Sequence, residues 1–207
     1  MSFDRLAPFY RAMEAIAAGG KLQRCRVAFL NEIPVPRRVL LAGEGHGRFL
    51  PECVRRFPDA AIMVVDDSVR MLEIAKRMVE SERVEFVRAD LLKWEGPQGA
   101  FDLIVTNFFL DCFPAPELAV LVARLGWMAV PEADWLLADF EIAATGPARW
   151  RSRMILALLY AFFRVVCRLP ARALISPDGE LQKAGFSLTR RQTYEWGLLK
   201  SERWRRG

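Results

Sequence analysis

The chain contains 207 residues, a length typical of one globular domain. Hydrophobic residues make up 53% of it and charged residues 27%, which excludes a wholly disordered chain because the apolar residues suffice for a packed core. The formal net charge of +5 permits an anionic partner without requiring one.

The first section of the chain has a helical pattern over residues 4–33, interrupted near Gly19 and Gly20. After it, short apolar runs alternate with amphipathic segments. The predicted strands span residues 39–42, 61–65, 84–87, 101–106 and 134–140. The predicted helices between them span residues 47–57, 69–80 and 115–126. Strands that are apolar throughout and alternate with helices predict a parallel sheet that helices cover on both faces.

Three alternating glycines follow the first predicted strand in the segment VLLAGEGHGRFL, at Gly43, Gly45 and Gly47. Glycine lacks a Cβ, so a ligand can approach the backbone there, and ligands of parallel sheets bind at the carboxyl ends of the strands. The dinucleotide fingerprint G-x-G-x-x-G fails in both registers, because Arg48 and Leu50 stand where its third glycine belongs. A phosphate-binding loop ending in G-K-[ST] is also absent. We therefore expect a ligand smaller than a dinucleotide.

Acidic residues end the next two predicted strands. Asp66 follows Gly45 by 21 positions and stands where a carboxylate accepts hydrogen bonds from both hydroxyls of a ribose. The alternative is that Asp66 and Asp67 only begin a turn before a helix that Ser68 caps. Asp90, in the segment VRADLLKW, could accept a hydrogen bond from the exocyclic amine of an adenine. Together these features predict an adenosine site without a pyrophosphate.

Metal binding and export are not expected. The four cysteines lie far apart without a C-x-x-C pair, and the single histidine, His46, leaves little for a zinc site. This pattern predicts free thiols in a reducing cytoplasm. The N-terminal residues carry acidic side chains early, and the chain has no apolar run long enough for a signal peptide or a transmembrane helix. We expect a cytoplasmic protein.

Four segments give the chain a specific resemblance. VLLAGEGHGRFL, AIMVVDDSVRMLEIAKRM, VEFVRADLLKW and FDLIVTNFFLDCF cover residues 37–141, and in this order they resemble a class I S-adenosylmethionine-dependent methyltransferase. The N-terminal FDRLAPFY resembles the opening of the small-molecule branch, which includes quinone and phospholipid methyltransferases.

The resemblance implies a fold and a domain organisation. The fold would be a doubly wound, Rossmann-like α/β fold with a seven-stranded, mostly parallel sheet. A C-terminal hairpin would add an antiparallel strand, and extra helices would precede the sheet. One domain would then span residues 1–207, with a helical cap at 1–36, a cofactor-binding core at 37–141, and a lid helix with the hairpin at 142–207.

The resemblance also implies S-adenosyl-L-methionine as cofactor and S-adenosyl-L-homocysteine as product. The glycine loop would lie against the methionine portion, Asp66 would bind the ribose and Asp90 the adenine edge. Leu41 stands where the family has an acidic residue, so Glu44 or backbone carbonyls would have to hold the methionine amino group. The cofactor-binding residues predicted in this way are Gly43, Glu44, Gly45, Gly47, Asp66, Asp67, Met71, Asp90, Leu91, Asn107 and Phe108.

Methyl transfer from a sulfonium is an in-line displacement, in which positioning supplies most of the acceleration. A general base is needed only if the acceptor must lose a proton. The candidates at the strand ends are Asp111, Asp139 and Glu141, and Asp111 is preferred because many relatives have a histidine there. Aromatic neighbours would desolvate Asp111 and raise its pKa. The alternative is that Asp111 caps a helix or pairs with an arginine. His46 is interpreted as a loop residue that points toward solvent or ligand.

The apolar pattern of residues 149–168 predicts a long helix, and arginines flank it. It would either close over a hydrophobic acceptor as a lid, with Tyr160, Phe162 and Phe163 on different sides, or lie on an anionic membrane surface. The segment AGFSLTRRQTYEWGLLKSERW predicts the closing antiparallel hairpin, with Trp204 and the neighbouring arginines in a fraying tail.

The sequence as a whole predicts methyl transfer to a small, lipophilic acceptor. A nucleic-acid methyltransferase is the first alternative, but Asn107-Phe108-Phe109-Leu110 replaces the proline pair and aromatic residue of enzymes that methylate base amino groups. A cofactor-binding protein without catalysis is the second. No nucleic-acid partner is expected, and the sequence leaves the acceptor and the oligomeric state open.

Overall fold

The structure is a computed structural model that describes residues 20–167, 171 and 174–207. The segment FDRLAPFY and most of the predicted helical cap therefore lie outside the described residues. Of that cap, the structure describes helix α1, Lys21–Val27, and a 3-10 turn at Leu30–Glu32.

The fold is the predicted seven-stranded sheet, with strand order β3-β2-β1-β4-β5-β7-β6. Strands β1 to β5 run parallel, whereas β7 pairs antiparallel with both β5 and β6. The strands are β1 Arg38–Ala42, β2 Ala61–Asp66, β3 Val84–Arg88, β4 Phe101–Asn107, β5 Ala129–Phe140, β6 Phe186–Tyr194 and β7 Leu199–Arg206. The predicted fold class is confirmed, although β5 begins five residues earlier than predicted, because it follows the preceding helix without a turn.

The helices agree with the predicted pattern but differ in length. After α1 they are α2 Leu50–Arg56, α3 Val69–Lys76, α4 Ala115–Met128, α5 Gly146–Cys167 and α6 Asp178–Lys183. The cap of α3 is as predicted, since the Ser68 hydroxyl accepts a hydrogen bond from the Met71 backbone N–H at 3.2 Å. No helix within the described part of the chain has the length and apolar character needed to cross a membrane.

Two apolar layers cover the sheet, as expected for strands that are apolar throughout. Leu40, Ile104 and Trp135 face the layer that contains α4, while Leu41 and Leu103 face the layer that contains α2. Buried strands in the middle of the sheet therefore hold their carboxyl ends at one rigid edge. The predicted cofactor-binding residues lie at or near that edge.

The predicted fraying tail at Trp204 is wrong. Trp204 lies in β7 opposite Trp135 and is 1% exposed, and its indole N–H donates to the Glu202 carboxylate at 2.9 Å. The neighbouring arginines are also held, because Arg203 pairs with Asp134 at 2.7 Å and Arg206 donates to two backbone carbonyls. The run of arginine and tryptophan is a strand whose alternate residues point to opposite faces.

Candidate active site

A cavity of about 400 Å³ opens at the carboxyl ends of β1, β2 and β4. Every predicted cofactor-binding residue except Gly47 lines this cavity, and so does Asp111. The structure brings these residues together because parallel strands end at the same edge of the sheet. Their gathering could be predicted from the sequence for this reason alone.

The three glycines of the loop have three different roles, although all have positive φ angles, of 66°, 63° and 77°. A side chain at Gly43 would overlap the ring of Phe109, which packs on this backbone. A Cβ at Gly47 would lie 2.9 Å from Ala75 of α3, so Gly47 permits helix packing and does not face the cavity. A Cβ at Gly45 would meet no atom within 4 Å, which leaves its backbone open to a ligand.

The carboxylate of Asp66 fixes this loop. One oxygen accepts from the Gly45 backbone N–H at 3.1 Å and the other from the Ser68 backbone N–H at 2.9 Å. Asp66 is buried at the cavity wall, while Asp67 is exposed at its rim. Asp66 therefore does begin a turn, as the alternative held. A carboxylate has about four acceptor positions, so the turn is also compatible with binding of a ribose.

Glu44 caps a helix from inside the loop. Its Oε1 accepts from the backbone N–H groups of Phe49, at 2.6 Å, and Leu50, at 3.2 Å, at the start of α2. Burial raises the pKa of Glu44 to about 7, and these two N–H groups and the nearby Arg26 limit the rise. Leu41 is fully buried in the core, so no acidic residue ends β1. Glu44 lines the cavity, but its carboxylate already accepts hydrogen bonds from the start of α2.

The far end of the cavity is apolar with one carboxylate. Met71 and Leu91 are buried there, and Ala89 and Leu92 join them without having been predicted. Asp90 accepts from the Leu92 backbone N–H at 3.1 Å, which holds the loop after β3 in place. Flat apolar walls beside a carboxylate suit an adenine ring with its exocyclic amine.

Asn107 provides a polar group without a protein partner. It lies at the end of β4, is 8% exposed and lines the cavity, and neither its amide nitrogen nor its amide oxygen has a hydrogen-bond partner. Buried amides are nearly always hydrogen-bonded, so this one indicates a ligand. The next residue, Phe108, has a positive φ of 53°, a strained conformation of the kind that clusters at functional sites.

Asp111 lies in a 3-10 turn, Leu110–Cys112, beyond β4. It is buried, and among the described residues it neither caps a helix nor pairs with an arginine, in contrast to the alternative interpretation. Burial raises its pKa to about 6, in the predicted direction. Asp139, at the end of β5, is its neighbour, and the two carboxyl groups influence each other's pKa. Glu141 does not line the cavity but pairs with Arg191.

Helix α5 closes one side of the cavity. Leu159, Tyr160 and Phe163 line it, while Phe162 points outward and is 42% exposed. The Tyr160 hydroxyl donates to the backbone carbonyl of Asp111 at 3.0 Å, which connects the helix to the turn at Leu110–Cys112. The aromatic residues of α5 therefore face different ways, and the lid itself stays a prediction.

Several lining residues were not predicted. His46 is not one of them, because it was interpreted as a loop residue that points toward solvent or ligand; it lines the cavity, and its ring accepts from Arg48 at 3.3 Å. Arg26 of α1 is one of them and contacts the ring of Phe108, with 5.1 Å from its guanidinium carbon to the ring centroid. No local sequence pattern distinguishes Arg26, because its position depends on how distant elements pack. The others are Cys112, Phe113, Glu117 and Phe140.

The thiols and the acidic groups do not form a metal site in the described ranges. No group of three or more histidine, cysteine, aspartate and glutamate residues there is arranged to hold an ion. Among the described residues, Cys25, Cys53 and Cys112 form no disulfide.

Comparison with known proteins agrees with this geometry. A family model described as a methyltransferase domain matches residues 39–131. Malonyl-[acyl-carrier protein] O-methyltransferase of Halalkalibacterium halodurans is 36% identical over 97 residues, which cover 45% of this chain and 35% of that protein. Demethylmenaquinone methyltransferase of Thermus thermophilus is 32% identical over 122 residues, which cover 57% of this chain and 56% of that protein. The chain thus spans between about a third and just over half of the length of these relatives.

The fold is also that of solved methyltransferases. The structure of an O-methyltransferase family protein from Burkholderia thailandensis matches with a TM-score of 0.71 at 21% identity, covering 98% of this chain and 61% of that one. At this identity the likeness shows the fold. The matched family model, the curated relatives and the motifs at the sheet edge agree with one another, and the chain is similar to class I S-adenosylmethionine-dependent methyltransferases.

Proposed function

We propose that the chain transfers a methyl group from S-adenosyl-L-methionine to a small, lipophilic acceptor. The observation that carries this proposal is the continuity of one cavity. It extends from the glycine loop and Asp66 to Asp111 and the aromatic residues of α5, so that the predicted cofactor-binding residues and the candidate base face one space.

The residues present fit the cofactor. Asp66 and Asp90 would accept from the ribose hydroxyls and the adenine amine. The unpartnered amide of Asn107 would accept from the methionine amino group, in place of the acidic residue that β1 lacks. Arg26 supplies a guanidinium for the methionine carboxylate, and among the lining residues no other arginine or lysine is present.

The bound cofactor supplies an activated methyl group on a sulfonium. The protein must then position the acceptor atom in line with that methyl group and exclude water. The aromatic residues that follow β4, end β5 and lie in α5 suit this task, because they give the acceptor end an apolar wall. Those that line the cavity are Phe108, Phe109, Phe113, Phe140, Tyr160 and Phe163.

A second proposal concerns the outer face of α5. Trp150, Met154 and Leu158 recur at intervals of four residues and are exposed, and Arg149 and Arg153 are exposed beside them. This arrangement supports peripheral contact with an anionic membrane surface, while the inner face of the same helix serves as the lid. We further propose a cytoplasmic, single-domain protein divided as the sequence predicts.

Gly45→Val tests the cofactor site. Its branched Cβ enters the open space above the loop, so we expect loss of S-adenosyl-L-homocysteine binding by calorimetry together with loss of methyl transfer to acceptors in an extract that contains isotopically labelled cofactor. Gly99→Val is the matched control, because Gly99 also has a positive φ and open space around it but lies outside the cavity. Equal affinity of the Gly45 variant and the native protein would refute the proposal.

A further inference from the structure

Two carboxyl groups lie one behind the other at the acceptor end of the cavity. Asp111 lines the cavity, whereas Asp139 does not line it and is only 2% exposed. The register explains this placement, because Asn107 pairs with Ala138 and the Phe108 backbone N–H donates to the Ala138 carbonyl at 2.7 Å. The turn that carries Asp111 therefore lies beside the carboxyl end of β5, where Asp139 is located.

The backbone holds both carboxyl groups in place. The carboxylate of Asp139 accepts from the backbone N–H of Phe140 at 2.8 Å, and the backbone of Asp111 lowers its pKa. The two carboxyl groups are neighbours that influence each other's pKa, and the Tyr160 hydroxyl donates to the Asp111 carbonyl from the side of α5. Contacts from β5, from the turn at Leu110–Cys112 and from α5 thus hold the pair in place.

Within the described residues, positive charge compensates this pair only in part, because Lys200 lowers the pKa of Asp139 but is shared with two other acidic groups. Lys200 lies opposite Asp139 in β7, but its ammonium group pairs with Asp178 at 3.1 Å and with Glu202 at 2.9 Å. The other titratable groups that face the pair are Cys112, whose thiol lies 3.5 Å from Asp111, the phenol of Tyr160, and Cys25 of α1. Neither a thiol nor a phenol supplies positive charge, so two adjacent buried carboxylates cannot both be ionised.

We propose that Asp111 and Asp139 share one proton and act as a pair, in which Asp111 takes a proton from a neutral acceptor hydroxyl during methyl transfer and Asp139 positions it. The acceptor oxygen forms a bond to the methyl carbon, and the bond from that carbon to sulfur breaks with its electrons remaining on sulfur. The hydroxyl proton moves to the Asp111 carboxylate and later leaves to water. Asp139 retains its proton and donates a hydrogen bond to Asp111.

The pair also selects the class of acceptor, an inference that rests on the proposed function. One negative charge at the cavity wall repels an acceptor that is itself a carboxylate, and a carboxylate needs no base. A phenolic or enolic hydroxyl is neutral near pH 7 and must lose its proton. Since Asp111 lies among aromatic side chains, a phenol-like ring with a free hydroxyl meets both conditions. Burial raises the pKa of both carboxyls, which agrees with one shared proton.

Carbon NMR of the aspartate carboxyl groups in the full chain tests the shared proton without substrate. In the native protein we expect both carboxyl resonances to follow the same two titration steps, separated by about 2 pH units or more. In Asp139→Asn the upper step should disappear while the lower one remains. Asp102→Asn, at the opposite end of β4, is the control and should preserve both steps. Two independent, single-step titrations in the native protein would overturn the pair, whether or not the variants fold.

A shape-matched ligand pair tests the acceptor class. With the S-adenosyl-L-homocysteine complex at pH 7.5, 2-naphthol should bind about tenfold or more tightly than 2-naphthoate, a difference of about 1.4 kcal/mol. Asp111→Asn should reduce this preference. Equal binding of the two probes to the native complex would overturn the acceptor class. If S-adenosyl-L-homocysteine itself does not bind, the proposed function fails, whereas the carboxyl titration still decides the pair.

Discussion

Removal of the Asp66 carboxylate should weaken both the fold and the cofactor site. Asp66→Ala breaks two hydrogen bonds, from Gly45 at 3.1 Å and from Ser68 at 2.9 Å. A hydrogen bond to a charged group contributes about 1.5–3 kcal/mol, but water in the cavity can reach the Gly45 N–H after the change, so we expect a loss of about 2–4 kcal/mol in the free energy of unfolding. Loss of the ribose contact should cost about 1.5–3 kcal/mol of binding, or roughly tenfold to 150-fold in affinity.

Urea unfolding measures the first effect, and calorimetry with S-adenosyl-L-homocysteine, at a temperature where the variant is folded, measures the second. Asp67→Ala is the matched control, because the next side chain is exposed at the cavity rim. It should change the unfolding free energy by no more than about 0.5 kcal/mol. A large loss of affinity in Asp67→Ala and none in Asp66→Ala would refute the assignment and shift the site by one residue.

Two further predictions concern pH and membranes. Because burial raises the pKa of Glu44 to about 7 from 4.5, the folded state binds the proton more tightly than the unfolded state. Its contribution to stability is therefore full below pH 4.5 and is lost as the pH rises through 7, by at most ~3 kcal/mol. Glu44→Gln keeps an acceptor for α2 and should flatten the unfolding free energy across this window; an unchanged slope would contradict the buried charge. For the outer face of α5, flotation with anionic vesicles should show binding at low salt that weakens at physiological salt and is lost in Trp150→Ala. Absence of binding at low salt would eliminate the membrane contact.

The sequence by itself determined the sheet and one end of the cavity. Apolar strands separated by amphipathic helices dictate a parallel sheet, and a parallel sheet collects the residues that follow its strands at one edge. Gly45, Asp66, Asp90 and Asn107 could be placed together for that reason, without any knowledge of side-chain contacts. Each of them follows the end of a predicted strand, so the strand pattern alone places it at this edge.

Only the tertiary structure decided which distant side chains complete the site. Asp139 lies behind Asp111 because of the register between β4 and β5, and Tyr160 meets the Asp111 carbonyl because α5 folds back over the cavity. Trp204 is buried because β7 inserts between β5 and β6, although its arginine neighbours look like a solvated tail. Local periodicity predicts which face of a strand or helix is apolar, but it does not predict which element packs against that face. Strand order and long-range packing decide which elements meet. In this chain they place α5 against the cavity that extends from the glycine loop, and they bury Asp111 and Asp139 at its other end.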